Sequence, residues 1–168
     1  MKTCVKENPL RLGAALAYAL PVGATSILYG GPLVVLQGVY AKHYGVSLAA
    51  IASILLFVRL FDTITDPLIG YWSDQYYARK GTRKPFVLLG AILFIVSAYF
   101  LFSPPGSVSL VSLTILFLVF YLGYTLFNIP HYAWGSELCS DSHSSTRLFT
   151  IRAAMMSAGL LVFSALSL

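Results

Sequence analysis

The sequence predicts an all-α fold: a polytopic membrane helix bundle of about five transmembrane helices. Three observations carry this. Of the 168 residues, 58% are hydrophobic and only 10% are charged, against roughly 25% charged in a soluble domain. The charged residues stand in short groups between long uncharged runs. Those runs reach or exceed the ~20 residues a helix needs to cross the hydrocarbon core. Such a composition excludes a disordered chain, and eleven basic and six acidic side chains are too few to cover a soluble surface. The net charge of +5 falls in loop clusters of the positive-inside kind, not along a nucleic-acid-binding face. The expected surroundings are a lipid bilayer, with no nucleic acid partner.

The spans follow in order. Residues 12–41 carry no charge, which gives a first span over about 12–40 between Arg11 and Lys42. The second, about 47–72, is interrupted only by Arg59, Asp62 and Asp66. Residues 85–136 are uncharged and too long for one crossing. The cluster Ser103-Pro104-Pro105-Gly106-Ser107 cannot continue a helix, so it divides them into spans of about 86–103 and 108–133. The fifth, about 148–168, contains only Arg152. The N-terminus has no small-residue cleavage site after its apolar run and is not a cleaved signal peptide. Cys4 and Cys139 have no metal spacing and are expected as free thiols.

Lys2, Lys6 and Arg11 precede the first span, and Arg79, Lys80, Arg83 and Lys84 stand between the second and third. The loop between the third and fourth has no charge. This places the N-terminus and the loops 73–85 and 134–147 in the cytoplasm, within an integral protein of the inner (plasma) membrane. Ending on a fifth apolar run, the chain is expected to be an N-terminal piece of a longer reading frame.

Charges inside a span need a reason, since each raises the insertion free energy by about 2.5–3.5 kcal/mol at the bilayer centre. Arg59, Asp62 and Asp66 fall within about 60° of one another on a helix. One reading is a salt bridge from Arg59 to Asp62 that ties helices together. The other is a coupling site. Two carboxylates one turn apart, with Thr63 and Thr65 beside them, make an oxygen cage for Na⁺ or a proton relay. Pro67 removes the donor that the Thr63 carbonyl would otherwise have, and it leads to the expectation of a kink. On the fourth span Thr125, Asn128 and Tyr132 share a face. Asn128 fits an interhelical hydrogen bond or a polar interior, and Tyr132 and Trp134 an interfacial belt. Arg152 either snorkels to the interface or faces a polar cavity.

At this point the residues resemble a family. Arg59-Leu-Phe-Asp62-Thr-Ile-Thr65-Asp66-Pro67-Leu-Ile-Gly70-Tyr-Trp-Ser-Asp74 is similar to the second-helix signature of the glycoside–pentoside–hexuronide:cation symporters, the melibiose-carrier branch of the major facilitator superfamily. Arg79-Lys80-Gly81-Thr-Arg83-Lys84-Pro85 resembles that family's cytoplasmic loop motif, with Gly70 and Asp74 in place. Tyr124-Thr125-Leu-Phe-Asn128-Ile-Pro130 resembles its fourth-helix motif. The resemblance implies a cation site at Asp62, Thr65, Asp66 and Thr125, with Na⁺ held at Asp62 and Asp66. It places the solute contacts at Ser26, Asn128, Tyr132 and Arg152. Ser26 and Asn128 stand where the melibiose carriers have carboxylates, and Tyr132 where they have a stacking tryptophan.

The implied function is cation-coupled symport of a sugar or related polar organic solute. No cofactor is expected beyond the coupling ion, Na⁺ or H⁺. The resemblance also implies a six-helix half, incomplete here, of a carrier whose partner is a missing C-terminal half. Alternatives are a lipid carrier, a drug/proton exchanger of the wider superfamily, or a non-transporting membrane remnant. An enzyme is not expected, because no nucleophile–base arrangement, metal spacing or phosphate loop is present.

Overall fold

A computed structural model describes residues 12–104, 108–139 and 141–166. The expectations for Lys2, Cys4, Lys6, Arg11, Pro105, Gly106 and Ser107 lie outside the described residues. Among the described residues there are six helices: α1 (Leu12–Tyr29), α2 (Gly31–His43), α3 (Leu48–Lys80), α4 (Lys84–Phe102), α5 (Leu110–Glu137) and α6 (Ser142–Leu166). All except α2 are long and apolar enough to cross a membrane, so five crossings stand as expected.

The boundaries differ from the sequence reading, and each difference has a local cause. The first span is not one helix over 12–40: it stops at Tyr29 and α2 begins at Gly31. Pro32 has no N–H to give to the carbonyl four residues back, and it follows two glycines, so the ladder breaks there. The second span runs on to Lys80 because no breaker occurs before Gly81. Gly81 stops it with φ 67°, a left-handed conformation open to glycine, and its N–H donates to the Tyr77 carbonyl at 2.8 Å. At the other end, Ser47 caps α3 by accepting from the Ala50 N–H. The expected cytoplasmic loop 73–85 is thus a three-residue turn, 81–83, between α3 and α4. The expected loop 134–147 is likewise short, because α5 continues to Glu137 and α6 begins at Ser142. Asp141 sets that start: its Oδ2 accepts from the Ser144 N–H at 2.9 Å. Pro67 lies inside α3 without ending it.

The described residues fall into two compact units, one with residues 12–33, 134–139 and 141–166 and the other with residues 34–104 and 108–133. In the first, α1 and α6 run parallel. Tyr18 packs with Leu148, a Cβ on Gly23 would meet the Met155 backbone, and one on Gly159 would meet Ser26. Small residues let the two backbones approach, as membrane helix pairs require.

In the second unit, α4 and α5 run antiparallel with their backbones touching at Gly90 and Gly123. A Cβ on Gly123 would stand 2.6 Å from the Phe94 nitrogen, and one on Gly90 2.6 Å from the Leu126 carbonyl carbon. Phe94 stacks on Phe120 beside this contact, with ring centroids 4.6 Å apart. The buried Tyr40 on α2 donates its hydroxyl to the Leu101 carbonyl at 2.8 Å. Large apolar side chains face outward on every side, among them Leu56, Leu60, Ile64, Leu88, Ile95 and Val111. Lipid is the solvent that accepts such a surface.

Candidate cation site

The site is built from one stripe of α3 and one of α5, both in the second unit. On α3 the buried positions are Ile51, Ile54, Val58, Asp62, Ile69 and Ser73. Asp62 therefore occupies a position that packing would give to an aliphatic residue. Arg59, Asp62, Asp66 and Gly70 lie within about 80° of one another on the helix. On α5, burial alternates from Tyr121 through Gly123 and Thr125 to Phe127. Two residues turn a helix by about 200°, so this alternation means that α5 is covered on two opposite faces. Gly123 and Phe127 face α4, as the glycine contacts show. The opposite face carries Tyr121, Thr125, Asn128 and Tyr132.

Two contacts bring the stripes together. The Arg59 guanidinium lies over the Tyr121 ring, 4.6 Å from its centroid. A Cβ on Gly70 would lie 3.9 Å from Ile129 Cγ2. The helices are therefore parallel here, and these contacts bracket the site from both ends. Asp62 and Asp66 stand about 4.5 Å and 10.5 Å along the axis from Arg59, and Thr125 stands about 6 Å along from Tyr121. Counted from the Arg59–Tyr121 contact, Thr125 lies between the levels of the two carboxylates; counted from the Gly70–Ile129 contact, it lies level with Asp66.

The electrostatics of this seam are unusual for a lipid-embedded structure. Asp62 is 8% exposed and Thr125 6%. Arg59 Nη1 is 3.7 Å from Asp62 Oδ2, a loose ion pair. The other oxygen of Asp62 and one oxygen of Asp66 are buried and have no hydrogen-bond partner among the described residues. Thr65 donates its hydroxyl to the carbonyls of Phe61, at 3.2 Å, and Asp62, at 3.4 Å. Thr63, grouped with the cage by spacing, is exposed and donates to the Arg59 carbonyl. Buried polar atoms are nearly always satisfied. These two unsatisfied carboxylate oxygens stand on residues one turn apart on α3.

The remaining predicted residues are placed as follows. Asn128 is half-buried and Tyr132 is 51% exposed, both continuing the α5 stripe. Ser26 is buried in the α1–α6 seam, where its hydroxyl donates to the Gly23 carbonyl at 2.8 Å and packs under Gly159. Arg152 is half-buried on α6. Ser26 and Arg152 belong to the first compact unit and the cation-site residues to the second. In the loop motif, Arg83 is 8% exposed. It donates to Ser73 Oγ at 2.9 Å and Asp74 Oδ1 at 2.6 Å, and lies over the Tyr77 ring. Arg79 and Lys84 are exposed. Sequence reasoning missed two participants. Tyr121 holds Arg59, and Ser73 holds Arg83. The helical spacing that aligns Tyr121 with Thr125 and Asn128 was the available signal.

A parallel pair of membrane helices, with Asp62 buried and Asp66 half-buried in its seam, is the arrangement on which the chain's relatives bear. Residues 17–168 match the family described as MFS/sugar transport protein, and the chain belongs to that family. It is 25% identical over 158 residues to the inner membrane symporter YicJ of Escherichia coli, covering 92% of this chain and 34% of that protein. It is 26% identical to the isoprimeverose transporter of Lactiplantibacillus pentosus over 168 residues, 98% of this chain and 35% of the other. It is 39% identical over 104 residues to the sodium-dependent lysophosphatidylcholine symporter 1 of Xenopus tropicalis, 56% of this chain and 20% of that protein. The chain spans about a third of the length of the first curated relatives it matches. No solved structure matches it.

Proposed function

We propose that these helices supply the cation site of a symporter that carries a sugar or related polar organic solute with Na⁺ or H⁺. The observation that carries this reading is the pair of unsatisfied, buried carboxylate oxygens of Asp62 and Asp66. With Arg59 beside them the site has a net charge near −1, which suits a monovalent cation. Oxygen ligands from Thr65 and Thr125 suit a hard ion such as Na⁺. Solute contact falls to Asn128 and Tyr132, which continue the α5 stripe, and to Arg152, whose guanidinium offers five donors to hydroxyls or a carboxylate. The relatives are about three times as long, and the cycle is proposed for a carrier of that length.

A second reading, a lipid-like solute, is favoured by one observation. The positions that carry solute-binding carboxylates in melibiose carriers are Ser26 and Asn128 here, and a relative at 39% identity is named a lysophosphatidylcholine symporter. Proteoliposomes holding the full-length carrier separate the two. Under an imposed Na⁺ or proton gradient, we expect accumulation of pentosides or hexosides. Accumulation of lysophospholipid with no response to any sugar would replace the first reading by the second.

The orientation we propose puts the Arg79–Lys84 turn in the cytoplasm. A single cysteine at the exposed position 78, in a background free of Cys4 and Cys139, is expected to react with an impermeant maleimide only after the membrane is opened. Labelling from outside intact cells would reverse the orientation.

A further inference from the structure

We propose that the turn joining α3 and α4 is a binding site for the phosphate headgroup of an anionic membrane lipid. The reasoning starts from length. At 1.5 Å per residue the 33 residues of α3 reach about 50 Å, against about 30 Å of hydrocarbon core. If Leu48 marks one face of the core, Tyr71 and Trp72 lie about 35 Å along the axis, at the opposite face for a tilt of about 30°. Both rings are more than half exposed, at 58% and 55%, as an interfacial belt requires. Arg79 and Lys80 then stand about 10–12 Å further along, at the outer edge of the headgroup layer, within reach of side chains that bend back to the interface. Lys84, at the first position of α4, returns the chain at the same level.

The charges at this level are not all equivalent. Arg83 is withdrawn: it is ion-paired with Asp74, bonded to Ser73 and laid over Tyr77. That pairing also neutralises the acidic residue nearest the turn. Arg79, Lys80 and Lys84 are exposed and have no ion-pair partner among the described residues. Tyr76 packs edge-on to Phe86, with centroids 5.7 Å apart, across the turn. This contact joins the ends of α3 and α4 and so fixes the spacing of the three cations. Three unpaired cations on a short, braced turn beside an exposed tryptophan fit a phosphodiester whose acyl chains lie along the α3 surface. Attraction of this kind is worth about a fivefold change in association for each cation near the surface.

Trp72 reports occupancy. With Trp134→Phe, Trp72 is the remaining tryptophan of two. This chain is reconstituted in phosphatidylcholine bilayers containing equal, small fractions of dibrominated phosphatidylglycerol or dibrominated phosphatidylcholine. Brominated phosphatidylglycerol is expected to quench Trp72 with at least tenfold higher relative association. Each of Arg79→Gln, Lys80→Gln and Lys84→Gln is expected to lower that preference about fivefold, and Arg79→Lys to keep most of it. Equal quenching by the two lipids, or a preference that survives all three glutamines, would overturn the proposal. A preference erased by millimolar inorganic phosphate, but not by chloride of the same ionic strength, would assign the site to free phosphate instead of lipid. The unaltered chain gives a second readout. Its thermal unfolding midpoint is expected to be higher in phosphatidylglycerol vesicles than in phosphatidylcholine vesicles, and equal midpoints would count against the lipid site.

Discussion

Asparagine in place of Asp66, in a carrier of the relatives' full length, is expected to abolish accumulation of solute against a gradient. The substitution keeps the shape of the side chain and removes one charge. Asp62 and Arg59 are left as a neutral pair, 3.7 Å apart, with nothing to hold a cation at the seam. At about 4 Å and an effective dielectric near 20, one lost charge is worth about 4 kcal/mol. A fall in cation affinity on the order of a hundredfold to a thousandfold follows. Passive exchange of solute should persist, because Asn128 and Tyr132 lie further along the α5 stripe. Asp62→Cys extends the test. A proton needs only one carboxylate, so Na⁺ stimulation should vanish before proton stimulation does. Uptake is measured under imposed Na⁺ and pH gradients for both variants, with solute counterflow as the control for a folded carrier. Full concentrative uptake by the Asp66→Asn carrier would leave the Arg59–Asp62 pair as a helix tie and no more.

The sequence made some of this site plain and hid the rest for physical reasons. Asp62 and Asp66 were visible because ionised groups are so costly in lipid that each one demands an explanation. Their companions were less visible. Thr125 and Tyr121 are ordinary residues for a membrane helix, and their place opposite the carboxylates depends on α3 and α5 lying parallel, a tertiary fact. Thr63 and Thr65 look alike in sequence and each donates to a carbonyl one turn back, yet Thr63 is exposed and Thr65 half-buried. The five crossings were legible from charge-free runs, whereas their ends were not. Hydropathy reports where lipid stops, while helices stop where backbone geometry or capping stops them. α3 runs eight residues past the expected boundary at 72 before Gly81 stops it with its positive φ, and Asp141 starts α6 six residues before the expected 148. The unequal fate of the basic cluster was equally hidden. Arg83 is tied to Ser73 and Asp74 by the return of the chain at Gly81, which no count of charges reveals.

Gly123, at the close contact of α4 and α5, carries a large expected effect on stability. It has no chemistry of its own, and nothing in the sequence marks it. A Cβ there would stand 2.6 Å from the Phe94 nitrogen and 3.0 Å from the Leu93 carbonyl carbon. Those are backbone atoms and cannot swing aside, so α4 and α5 must separate. Alanine gains at most about 1 kcal/mol of helix propensity over glycine. The separation forfeits the packing that holds membrane helices together and adds an overpacking penalty of about 1–3 kcal/mol. The penalty wins, and Gly123→Leu makes it larger still. At about 2–4 °C per kcal/mol for chains of this size, Gly123→Leu should lower the unfolding midpoint in detergent by on the order of 10 °C. Gly38→Ala is the matched control, since a Cβ at Gly38 meets nothing within 4 Å. The two faces of α5 connect this to function. Gly123 faces α4 and Thr125, turned about 200° from it, faces α3. Pushing α5 off α4 therefore moves Thr125 relative to Asp62 and Asp66. In the full-length carrier Gly123→Ala should weaken Na⁺ stimulation while Gly38→Ala leaves it intact. Equal midpoints and equal Na⁺ responses for the two alanine variants would mean that the α4–α5 seam yields without disturbing either the fold or the site.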